Sequence, residues 1–148
     1  MIALLRNPVA RTYSAYHYRF SVRHGRASRT FEETIETLLN RSPDKAPILR
    51  RGIYVDDLLR WSRFFGDEQM LVLKSEDFFE HPQENLDRVL DFLDLPGWEP
   101  SAAELRDTKR NRGGYEQNME ATTRRRLEDY FEPHNRRLYE FLGVDFGW

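Results

Sequence analysis

Two short apolar runs, Ile2-Ala3-Leu4-Leu5 and Met70-Leu71-Val72-Leu73, lack the apolar–polar alternation of a strand with one wet face. That pattern belongs to strands buried on both sides, as in parallel sheets covered by helices. The long stretch between them is helical in character, a crossover that permits parallel rather than hairpin pairing. Two such strands cannot make a two-sided sheet. The expectation is therefore of a helix-dominated α/β unit whose sheet lacks strands, to be completed by self-association or by a partner subunit.

The helices are read from caps and spacing. The first run stops at Arg6-Asn7-Pro8, where Asn7 is a good N-cap and Pro8 a good first helical residue, with Tyr13, Tyr16, His17 and Phe20 continuing one face. Thr30 to Glu33 fits a capping box, ahead of Ile35, Leu38 and Leu39. Val55, Leu58, Leu59, Trp61, Phe64 and Phe65 recur at helical spacing up to Gly66 and are assigned to the core. Pro82 opens a helix carrying Leu86, Val89, Leu90 and Leu93 and ending before Pro96-Gly97, whereas Glu99 to Gln117 looks irregular. A last helix from Thr122 is expected to break at Pro133 and resume to Gly143.

Composition narrows the function classes. The 148 residues suit one domain, with no repeat or linker. No cysteine is present, which excludes disulfides, zinc–thiolate sites and thiol nucleophiles; the four histidines are scattered, and no metal is expected. A net charge of −2 argues against bulk attraction to nucleic acid or an anionic membrane. With no apolar run of spanning length and no secretion signal, the chain reads as soluble and cytoplasmic. Yet Arg6, Arg11, Arg19, Arg23, Arg26 and Arg29 precede the first acid, a local positive field suited to a small anion.

Within that field, the free N–H groups and partial charge of a helix start favour phosphate or sulfate. Ser14 lies about 10 Å along the helix from the cap, within reach of an arginine at the strand end. Arg6 and Ser14 could thus clasp one anion, although an arginine before a capped helix is more often a surface ion-pairer. Asp56 and Asp57 read as first-turn acids complementing a helix dipole rather than as an acid/base pair. Glu76 and Asp77 fit a turn, His81 a cap, His17 packing within its own helix, and Arg124-Arg125-Arg126 a solvated face.

Four collinear segments then carry a resemblance. Leu4-Leu5-Arg6-Asn7-Pro8-Val9-x-Arg11-x-Tyr13-Ser14-x-Tyr16 resembles the 3′-phosphate-binding segment of sulfotransferases that use 3′-phosphoadenosine 5′-phosphosulfate (PAPS). Arg51-Gly52-Ile53-Tyr54 with Leu58 and Trp61 is similar to a helix of that family, and Gln69 to Leu73 with Glu76-Asp77-Phe78 and Pro82 to its next strand and turn. Asn111-Arg112-Gly113-Gly114-Tyr115, with Pro133, Asn135, Leu138, Leu142-Gly143 and Trp148, is similar to its cofactor loop and final helices.

The resemblance implies a P-loop-kinase-like sulfotransferase fold, here N-terminally truncated, with about two parallel strands. It implies PAPS as co-substrate and no metal, with Arg6 and Ser14 on the nucleotide 3′-phosphate and Arg112, Gly113 and Gly114 closing over it. Tyr54 matches a position lining the acceptor cleft, beside the plainer reading of a core tyrosine. The family's glycine-rich 5′-phosphosulfate loop and catalytic-base segment have no counterpart in these residues, so no catalytic base is assigned. The acceptor, a small molecule or glycan offering a hydroxyl or amine, stays open. The competing expectation is a non-catalytic nucleotide-binding or helical interaction module.

Overall fold

The structure, a computed structural model, describes residues 1–22, 29–41, 45–101 and 119–148. These residues form two compact units, one of residues 1–6 with the chain from Leu59, the other of residues 7–58 with the C-terminal helix and tail.

The first unit contains the sheet. Strand β1 (Ile2–Leu5) pairs in parallel with β2 (Leu71–Lys74), with Ile2 opposite Leu71 and Leu5 opposite Lys74. Leu5 and Leu73 are buried, but Ile2 and Leu4 stay exposed. Burial of β1 on both sides is therefore not realised, because among the described elements β1 packs chiefly on β2. Helix α5 (Ser75–Glu80) follows β2 directly, in place of the expected turn at Glu76-Asp77, and Lys74 Nζ lies 3.3 Å from Asp77.

Helix α6 (Pro82–Phe92) packs on both α5 and β2. The junction is held by Asn85, whose buried Nδ2 donates to the carbonyls of Asp77 (3.1 Å) and His81 (3.0 Å). His81 sits at the N-cap of α6 with no side-chain capping bond, so it serves the junction through its carbonyl. Leu93 of the expected apolar stripe lies past the helix end and is exposed.

The second unit is built around α1 (Pro8–Val22), which packs against α3 (Pro47–Arg50) and the C-terminal helix α7 (Ala121–Leu142). Helix α2 (Phe31–Arg41) packs on α7 and starts with the expected reciprocal capping, Thr30 N to Glu33 Oε2 and Glu33 N to Thr30 Oγ1. Val9, Tyr13, Tyr16, Phe31, Ile35, Leu49, Leu127, Phe131 and Leu138 form its core. Phe31 meets Tyr13 and Tyr16 edge to face at 4.7 and 5.3 Å, and His17 packs against the same two tyrosines as anticipated.

Two helix boundaries depart from expectation. Helix α4 (Tyr54–Trp61) stops short of Gly66; Trp61 and Phe64 are 49% and 75% exposed, so the aromatic stripe at its end is not core. Only its first turns, through Val55 and Leu58, reach a buried surface. Helix α7 instead runs unbroken through Pro133. Its buried residues Leu127, Phe131, Asn135 and Leu138 lie on one stripe on both sides of the proline, and packing along that stripe outweighs the lost backbone hydrogen bond. The helix ends at Gly143, left-handed at φ 67°, whose N–H donates to the Tyr139 carbonyl.

Candidate functional site

Asn7 starts α1 as expected: its Oδ1 accepts from the N–H groups of Val9 (2.9 Å) and Ala10 (3.1 Å). Those two donors are consequently spent on the cap, and any anion at this end relies more on side chains than on bare amides. Arg6, half-buried, is the last residue of the strand unit. Ser14, also half-buried, belongs to α1 in the helical unit.

Two hydroxyls near the start of α1 behave differently. Thr12 is fully buried and its Oγ1 donates to the Pro8 carbonyl at 2.7 Å, the usual back-bond of a helical threonine. The Ser14 hydroxyl makes no such bond among the described residues. A helical serine that leaves its hydroxyl uncommitted suits the donor role assigned to it for a phosphate oxygen. Arg112, Gly113 and Gly114 lie outside the described residues.

Tyr54 opens α4, half-buried, its ring 6.0 Å from that of Trp148. The segment before it is set by Gly52, where an added Cβ would fall 2.8 Å from Cε1 of Phe131 and 3.1 Å from Cβ of Pro8. Only a residue without a side chain lets this backbone lie against the buried Phe131 ring. The tail completes the surround: Trp148 N donates to Tyr139 Oη at 2.9 Å, and the Trp148 and Phe146 rings are 5.0 Å apart. Burial pushes the Tyr139 hydroxyl pKa up, the hydrogen bond from Trp148 partly offsetting it.

Asp56 and Asp57 occupy the first turn of α4, and Asp56 Oδ1 meets Arg137 Nη2 of α7 at 2.9 Å, which favours the structural reading of that pair. Arg126, from the basic run, bonds Asn40 at 3.0 Å on an exposed surface.

Sequence reasoning passed over a cluster on the segment leading into α4. Lys45, Pro47, Arg50, Arg51 and Asp57 line a cavity of about 260 Å³. Arg11, on α1, is half-buried and donates from Nη1 to the Ile48 carbonyl at 3.2 Å. Burial lowers the Arg11 pKa; Tyr54 opposes this and the charge of Arg51 adds to it. The Arg50-Arg51 doublet with Lys45 was the available signal, but nothing in the linear pattern says that these side chains surround a hollow. Among the described residues there is no group of three or more His, Asp or Glu placed to hold a metal, and no helix is long and apolar enough to cross a membrane.

A parallel pair of strands followed by packed helices agrees with what family comparison finds. The chain belongs to the sulfotransferase domain family, whose model matches residues 1–122. It is 29% identical to human heparan sulfate glucosamine 3-O-sulfotransferase 3B1, over all of this chain and 43% of that protein. It is likewise 29% identical to human carbohydrate sulfotransferase 15, over all of this chain and 31% of that protein. The crystal structure of a sulfotransferase from Alicyclobacillus acidocaldarius superposes with a TM-score of 0.74 at 27% identity, over 98% of this chain and 55% of that one. The fold is thus the α/β sulfotransferase fold, and the chain spans less than half the length of the two curated relatives.

Proposed function

We propose that this chain binds PAPS and takes part in transfer of its sulfuryl group to a hydroxyl or amine of an acceptor. The observation that carries the reading is the family match across residues 1–122. In this assignment the Arg6 guanidinium and the Ser14 hydroxyl hold the nucleotide 3′-phosphate, and Arg112, Gly113 and Gly114 close over it. The uncommitted Ser14 hydroxyl supports it, as does the neutral Asn7 cap, which satisfies the helix start without placing a negative charge beside the phosphate. Tyr54, half-exposed at the head of α4, is assigned to the acceptor side.

Sulfuryl transfer requires an in-line nucleophile, a base for its proton, and cations where negative charge accumulates on the leaving phosphate. By analogy with phosphoryl transfer, positioning and charge stabilisation supply most of the rate. The residues named here orient and neutralise the 3′ end of the donor. Titration calorimetry with 3′-phosphoadenosine 5′-phosphate tests this directly: the wild-type chain binds, and Ser14→Ala and Arg6→Ala weaken binding by about tenfold or more. A radiolabelled transfer assay then separates enzyme from binder. Binding with no transfer at saturating donor leaves a nucleotide-binding module, and no nucleotide binding at all rejects the reading.

A further inference from the structure

We propose that the exposed aromatic end of α4 pairs with the same segment of a second copy of this chain, about a two-fold axis at Phe64, to form a homodimer. Exposure, the order of charges along the segment and its rigidity all point to that partner.

Phe64 is 75% and Trp61 49% exposed, and Leu59 beside them is exposed as well. An aromatic side chain carries about 150–250 Å² of surface, so these two rings leave roughly 200–300 Å² of apolar area open in each copy. The Trp61 ring rests on that of Phe65 at 5.9 Å, which supports the platform from which Phe64 projects. Two copies set face to face cover both platforms, with the Phe64 rings offset or edge to face across the axis.

The order of charges selects the occupant. Arg60 and Arg63 precede Phe64, and Asp67 and Glu68 follow it, all four exposed. Among the described residues Arg63, Asp67 and Glu68 form no ion pair within their own copy, although Asp67 lies only four residues beyond Arg63. The reason is local: α4 has ended at Trp61 and Asp67 belongs to a separate 3₁₀ turn (Asp67–Gln69), so the helical i, i+4 alignment is lost. Turned about a two-fold axis, the segment runs against its copy and sets Arg63 of each against Asp67 and Glu68 of the other. Another exposed apolar surface of the same unit lacks this balance: Leu93, Leu95 and Trp98 are accompanied by Asp91, Asp94 and Glu99, which would repel a second copy.

Both charged arms are also held in place. Phe64 N and Phe65 N donate to the Trp61 carbonyl at 2.9 and 3.1 Å, and Ser62 Oγ to that of Leu59 at 3.2 Å. On the acidic side Gly66 N donates to Gln69 Oε1 at 3.1 Å, and Gln69 N to the Gly66 carbonyl at 2.9 Å. A fixed backbone loses little freedom on pairing. Even so, the rings of both copies together cover roughly 400–600 Å², whereas a specific interface needs about 1,200 Å² or more. The charged rim therefore has to contribute, and the dimer is weak.

Sedimentation equilibrium of the intact chain from roughly 1 μM to 1 mM tests this. The expected result is a monomer–dimer equilibrium that weakens with added salt and is abolished in that range by Phe64→Asp. Arg60→Glu/Arg63→Glu and Asp67→Lys/Glu68→Lys should each weaken dimerisation by about tenfold or more, because each variant gives its own segment a single sign of charge. Mixed together, these two variants should pair with one another about as well as the wild-type chain pairs with itself, a rescue that misfolding could not produce. A chain that stays monomeric throughout, open-ended growth beyond the dimer, or failure of the two charge-reversed variants to pair overturns the proposal. So does a dimer indifferent to Phe64→Asp, which would place the contact elsewhere, as on the exposed side of β1.

Discussion

Replacing Gly52 by alanine isolates the contact on which the segment carrying Tyr54 depends. Its φ is not in the left-handed region, so alanine meets no backbone strain there; in open space the change would stabilise by about 0.4–1 kcal/mol through the unfolded chain. The added methyl would instead lie 2.8 and 2.9 Å from two ring carbons of Phe131, whose side chain is fully buried and cannot swing away. Overpacking of this kind costs about 1–3 kcal/mol. At ~2–4 °C per kcal/mol for a chain near this size, the midpoint should fall by roughly 2–12 °C. Thermal unfolding followed by circular dichroism measures it, with Phe131→Leu and the double variant completing a cycle. Trimming the ring should relieve the alanine, so the double variant should lose less than the two single losses together. An unchanged or raised midpoint for Gly52→Ala, or strict additivity, would refute the close-packing argument.

Other consequences follow from single contacts. Asn7→Ala removes the acceptor for two N–H groups at the start of α1 and should cost about 1 kcal/mol by denaturant titration. Asn7→Asp should keep the cap and the stability but weaken nucleotide binding, because it sets a negative charge next to Arg6. Tyr13, Tyr16 and Tyr139 all have pKa values raised mainly by burial. Above about pH 10 the unfolded chain releases these protons while the native state keeps them, so stability present below that pH should fall as pH rises. Melting curves from pH 8 to 11 check this, and Tyr139→Phe should flatten the decline. Pro133→Ala restores a backbone donor in the middle of a continuous helix and should raise the midpoint by several degrees; a lower midpoint would show that the proline is needed for the packing of α7.

What the amino-acid order determined by itself was local or repetitive. Asn7-Pro8 and Thr30 to Glu33 set their helix starts because a cap is a contact between near neighbours. The two apolar runs became parallel strands, and the Arg6 to Tyr16 segment announced the family because its chemistry is held in consecutive residues. What depends on distant partners could be settled only in three dimensions. Pro133 stays helical because its stripe is packed on other helices, and Trp61 and Phe64 are exposed because periodicity records a face but not whether anything covers it. Whether Ser14 spends its hydroxyl on the backbone is a matter of rotamer, and whether Lys45, Arg50 and Arg51 enclose a hollow depends on how a turn rests on Phe131. Spacing along a chain states which side chains can share a surface; burial, charge pairing and empty volume arise only when separate segments are brought against one another.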